Sequence, residues 1–122
     1  MRVPQVTVRR IVANVAADSV SEVGKFYVDL FELEVVMDHG WIVTLASGEK
    51  AITQLSVASE GGSGTPVPDI SIEVDDVDSV YARAKAGSYH IVYDITDEPW
   101  GVRRFYVRDP AGKLLNVLSH RH

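Results

Sequence analysis

The chain has 122 residues, 17 of them acidic against 12 basic, a formal net charge of −5 and no cysteine. Its length suits one domain with a sizeable core, and the missing cysteine excludes disulfides, thiolate metal sites and a thiol nucleophile together. Basic residues never run beyond Arg9-Arg10 or Arg103-Arg104, which excludes a nucleic-acid surface, and no stretch approaches the ~20 apolar residues of a membrane span.

In chain order, the N-terminal stretch MRVPQVTVRR lacks the apolar segment of a secretory signal, so a soluble, cytoplasmic protein is expected. Arg9 to Ala16 is apolar-rich and reads as a strand. Val20, Val23, Phe26, Tyr27, Leu30 and Phe31 then recur at three-and-four spacing, which predicts a helix with one buried stripe. Asp18 or Ser19 is placed to cap it, with Glu22 completing a capping box. Strand-like runs follow at Leu33 to Met37, Trp41 to Ala46 and Ala51 to Ala58, joined by His39-Gly40 and Ser47-Gly48-Glu49.

Residues 59–68, SEGGSGTPVP, read as a linker at the chain's midpoint. The pattern then restarts: a strand at Asp69 to Val74, acidic caps at Asp75-Asp76, and a helix presenting Val77, Val80, Tyr81 and Ala84. Gly87 stops that helix, and strands are expected near 89–95, 103–108 and 114–119. A tight turn at Asp109-Pro110-Ala111-Gly112 separates the last two. Both halves therefore read β-α-β-β-β, a single α+β domain with one module at about 9–58 and a second at about 69–119. One helix cannot cover both faces of a four-stranded sheet, so the two sheets are expected to pair as an incompletely closed eight-stranded barrel with a pocket on its concave side.

The segments FYVDLFELEVV (26–36), DISIEVDDVDSVYARAKAG (69–87) and EPWGVRRFYVRDPAGKLLNV (98–117) carry a resemblance to the vicinal oxygen chelate superfamily, which includes glyoxalases, extradiol dioxygenases and bleomycin-resistance proteins. The resemblance covers about residues 9–119. In metal-dependent members it implies a divalent ion held by His or Glu from the first and fourth strands of each module. The matching positions here are Ile11 or Val12 with Asn14 nearby, Gln54, Asp69 and Asn116. One aliphatic residue, one carboxylate and two amides thus stand where such an ion wants imidazole and carboxylate. The expectation is that the metal site is lost, with no metal or cofactor, and that Gln54, Asn116, Asp69 and Asn14 line a cavity instead. Gln54 and Asn116 are expected to match each other across the repeat.

Trp100, in its Pro-Trp-Gly loop, and Trp41 are candidate stacking platforms or plugs of the barrel ends. Alternation sets Arg103, Phe105 and Val107 on one side of their strand and Arg104, Tyr106 and Arg108 on the other. Spacing alone leaves open which side faces the cavity. Either Arg104 and Tyr106 contact a ligand, or they sit on an edge or dimer surface. None of the histidines occupies a matched position, and His120-Arg121-His122 reads as a frayed tail. The resemblance implies a homodimer that holds a small organic molecule, a sequestering protein of the drug-binding kind. The alternative is a lyase, isomerase or dioxygenase that keeps a metal through Asp69 or works as a metal-free acid-base catalyst with Asp69, Glu73 or Tyr106. A third class is an interaction module whose cavity is filled by its own side chains.

Overall fold

The structure is a computed structural model that describes residues 6–47 and 54–121. Among these residues two helices and eight strands follow one another as β1 (Val8–Ala16), α1 (Val20–Phe31), β2 (Glu34–Asp38), β3 (Ile42–Ala46), β4 (Gln54–Ala58), β5 (Ile70–Val74), α2 (Val77–Ala86), β6 (Ile91–Asp97), β7 (Val102–Arg108) and β8 (Leu114–His120). The doubled β-α-β-β-β order is the expected one, and the fold is α+β. Residues 51–53 of the strand expected from Ala51, and Gly48-Glu49 of the connection before it, lie outside the described residues.

The chain divides into two compact units, the first Val12–Val67 and the second formed by residues up to Ile11 together with Pro68 onward. In the first, the strands are ordered β2-β3-β4-β1, antiparallel except for the parallel pair of β1 and β4. Its core joins Val20, Val43, Leu45 and Val57 to Val23, Tyr27 and Val28 of α1. Gly24 lets the helix approach closely, since a Cβ there would stand 3.2 Å from a Val43 methyl. The expected stripe is only partly buried: Phe26, Leu30 and Phe31 lie 56–60% exposed, because the sheet meets the helix along Val20, Val23 and Tyr27. The expected capping box does not form, as Ser19 is the N-cap but makes no side-chain cap bond. Glu32 ends α1 in the left-handed region, at φ 53°.

The second unit repeats the plan with order β5-β8-β7-β6, β5 and β8 parallel and the other pairs antiparallel. Here α2 packs Val77 and Ala84, with Val80 and Tyr81, on Val74, Phe105 and Val117. Burying side chains such as Phe105 contributes roughly 1.5–3 kcal/mol each. Asp76 caps α2 by accepting from the Ser79 amide at 3.2 Å and the Ser79 hydroxyl at 2.7 Å. Gly87 follows α2 as expected, but at φ −83°; Ser88 takes the left-handed conformation, at φ 56°. Asp109 builds the last tight turn, its Oδ1 accepting from the amides of Ala111 and Lys113 at 2.8 and 2.9 Å.

Residues 59–68 form an ordered turn: the amides of Gly61 and Thr65 donate to the carbonyls of Thr65 and Gly62, and the Thr65 hydroxyl donates to Gly62 O at 2.7 Å. Glycine and serine serve this turn's geometry rather than slack. His120 is likewise no frayed residue. It is the last residue of β8, in register with Val102, while His122 lies outside the described residues.

Candidate functional site

With Phe105 and Val107 packed toward α2, alternation sends Arg104, Tyr106 and Arg108 to the helix-free face of the second unit's sheet. Register extends the face across the strands, pairing Tyr106 with Asn116, Asn116 with Ser71, and Tyr93 with Tyr106. Leu118 and His120 continue it along β8, and Glu73 along β5.

Arg104 and Glu98 form a buried ion pair, their side chains 3% and 2% exposed. Arg104 Nη2 and Nε donate to Glu98 Oε2 at 2.8 and 3.1 Å, and Nη1 donates to the Tyr106 hydroxyl at 3.0 Å. Tyr93 donates to the other carboxylate oxygen, Oε1, at 3.1 Å. The guanidinium also lies 5.0 Å from the Trp100 and Tyr106 ring centres and 5.3 Å from that of Tyr93. Desolvating a cation is costly unless it is paired and hydrogen-bonded, and this one is both. Gly101, at φ +89°, closes the Glu98–Gly101 turn that carries Trp100. The indole therefore stacks on an internal cation.

Next to this cluster, Asn116 is 9% exposed. Its Nδ2 donates to Ser71 Oγ at 3.1 Å, but its buried Oδ1 has no hydrogen-bond partner. Toward the end of β8, Glu73 lies between two bases. Its Oε1 stands 3.1 Å from Arg10 Nε and its Oε2 3.0 Å from His120 Nδ1.

Asp69 is placed differently from the cavity-lining role expected of it. It is exposed, and it clamps the start of β8 by accepting from the Leu114 amide at 2.8 Å while its own amide donates to Leu114 O. In the first unit, the helix-free face carries Thr44 and Ser56, whose hydroxyls lie 2.7 Å apart. Asn14 is in register with Ser56 on β1, and Gln54 lies two residues before it. Asn14 precedes the first residue of α1 by as many positions as Ser71 precedes that of α2. Ser56 is therefore the positional counterpart of Asn116, and the expected match of Gln54 with Asn116 is off by one pleat. The same offset pairs Val12 with Asp69. Trp41, half-buried, stacks on His39 with ring centres 6.1 Å apart.

Sequence reasoning missed Glu98, Tyr93, Ser71 and the Glu73–His120 contact. Strand alternation places Ser71 with Glu73 and Asn116 with His120 once the α2 face is known, whereas no local signal marks Glu98.

A family model described as Glyoxalase/Bleomycin resistance protein/Dioxygenase superfamily matches residues 8–117. Among solved structures, the chain is similar to an NAD-dependent benzaldehyde dehydrogenase from Legionella pneumophila (14% identity, TM-score 0.75, 92% of this chain and 100% of that one). It is also similar to a methylmalonyl-CoA epimerase from Streptomyces coelicolor (16%, 0.71, 95% and 100%). A third is a glyoxalase/bleomycin resistance protein/dioxygenase superfamily member from Vibrio splendidus (19%, 0.63, 93% and 99%). No curated protein matches the chain. At these identities the likeness is one of fold.

Proposed function

The chain belongs to the Glyoxalase/Bleomycin resistance protein/Dioxygenase superfamily, and from that premise we propose that it binds a small organic molecule on the helix-free face of the second unit, without a catalytic divalent metal, as a homodimer that sequesters an antibiotic or metabolite. The observation that carries this reading is the partnerless, buried Asn116 Oδ1. A buried acceptor left without a donor costs about 1–3 kcal/mol, and a ligand N–H or O–H that reaches it recovers that cost. Arg104 with Glu98 holds the neighbouring strand rigid and leaves Asn116 as the acceptor that orients the ligand. Because Oδ1 is enclosed, binding requires the face to open, and association is correspondingly slow.

The donors at the family's metal positions do not suit a divalent ion. Val12 has no ligating atom, Asp69 already accepts the Leu114 amide, and Asn116 offers one neutral oxygen, a weaker ligand than carboxylate or imidazole. Among the described residues, no three His, Cys, Asp or Glu side chains gather in a way that would hold a metal.

Native mass spectrometry of freshly isolated protein, followed by an affinity screen of small organic molecules against wild type and Asn116→Leu, tests the proposal. A retained or screened molecule lost at least tenfold in Asn116→Leu, with thermal stability kept, is the expected result. A stoichiometric divalent ion, or binding indifferent to Asn116, overturns it.

A further inference from the structure

Resting on that reading, we infer that the ligand is a weak organic acid bearing a phenolic or similar O–H, and that His120 takes its proton on binding. His120 Nδ1 lies 3.0 Å from Glu73 Oε2, and a carboxylate at that distance favours, in a neutral ring, the tautomer with its proton on Nδ1. Nε2 is then left as the basic lone pair. The imidazole is 41% exposed, so a molecule can reach it, while Glu73, at 16%, is held from its other side by Arg10. When the ligand O–H bond breaks, its proton goes to Nε2 and its electron pair stays on the ligand oxygen. Glu73 then stands between two cations, and the surplus positive charge is matched by the ligand anion.

Among the described residues, the other charges nearby are already committed. Arg121, the next residue, pairs with Asp97; Arg103 faces the other side of β7 toward Asp78; and Arg104 is bound to Glu98. On this face, His120, Leu118 and Asn116 follow one another along β8 over roughly 13 Å, with Leu118 buried between them. A molecule with a hydrogen-bond donor at one end, an apolar middle and an acidic hydroxyl at the other matches that row.

The test uses para-hydroxy-para′-aminoazobenzene, whose phenolate absorbs at longer wavelength than its phenol, and its methyl ether, which has no proton to give. Wild type is expected to bind both and to strengthen the bound dye's acid ionisation about tenfold or more, as a neighbouring cation does. His120→Phe and the smaller change His120→Gln are expected to lose the ionisation shift while still retaining the ether through Asn116 and Leu118, with circular dichroism reporting the fold. If dye and ether bind but the dye stays a neutral phenol, or the shift survives in both variants, the proton transfer is overturned and the binding face stands. If neither compound binds, both fail.

Discussion

Arg104 is the residue on which the second unit's helix-free face turns. It lies between Glu98 and three aromatic rings with almost no exposure, so removing it strands a carboxylate in a dry place. Arg104→Met is expected to cost roughly 3–5 kcal/mol, read by urea denaturation. Arg104→Met combined with Glu98→Gln should recover a substantial part, because the uncompensated charge is gone. Equal losses in the single and double variants would mean that packing of the guanidinium, not its charge, is what matters. The pairing also explains why the role of Trp100 was only half legible in the sequence. The Pro-Trp-Gly loop marked Trp100 as a stacking platform or a plug, and the group that lies over it is the Arg104 guanidinium of the next strand, a tertiary fact that no local pattern carries.

Among the elements, α1 and α2 end and begin by different devices. Glu32 holds the left-handed conformation that glycine adopts without penalty, so Glu32→Gly is expected to raise stability by roughly 1 kcal/mol. An unchanged or lower melting temperature would contradict this. At the start of α2, hydrogen bonds from the Ser79 hydroxyl and then the Ser79 amide hold the Asp76 carboxyl below its ordinary value of 3.8. A carboxyl lowered in the folded state gives its full stabilisation above the unfolded value and loses it as the pH falls through the lowered one. Wild type should therefore lose melting temperature below about pH 4 more steeply than Asp76→Asn, and parallel curves would refute the link.

The elements themselves were legible because their periodicities are strong: among the described residues, the strands and both helices fall within a few residues of where alternation and three-and-four spacing put them. Ser19 is the N-cap, one of the two positions expected, though without the side-chain bond. The exposure of Phe31 was not legible: it depends on which part of the apolar stripe the sheet meets, and Gly24 lets α1 come close to Val43. Asp69 stands at a matched ligand position by its number along the chain, and that one of its carboxylate oxygens accepts from the Leu114 amide is a long-range contact that no local pattern names.

For the whole molecule, two expectations separate a binding protein from a metalloenzyme and a monomer from a dimer. Added manganese, iron, nickel or zinc should leave the melting temperature unchanged. A metal-specific rise would restore a metal site, because an ion bound only by the folded chain stabilises it by mass action. Phe26, Leu30 and Phe31 on α1, with Val35 and Val36 on β2, expose much apolar surface in the first unit, and a second copy is the expected cover. Light scattering should give twice the mass of the 13.4 kDa chain, and Phe31→Glu should shift it toward the single chain. A wild-type monomer at micromolar concentration would reject the dimer.

The chain holds two tryptophans, and each sits beside a different neighbour: Trp41 against the His39 ring and Trp100 with the Arg104 guanidinium 5.0 Å from its ring centre. Their emission is thus an optical readout already wired into the molecule. The emission maximum of the indole at 100 is expected to shift with any rearrangement that moves the guanidinium or lets water in around it, and replacing Trp41 by phenylalanine isolates that signal. Opening of the enclosed face can in this way be followed in real time without attaching a dye.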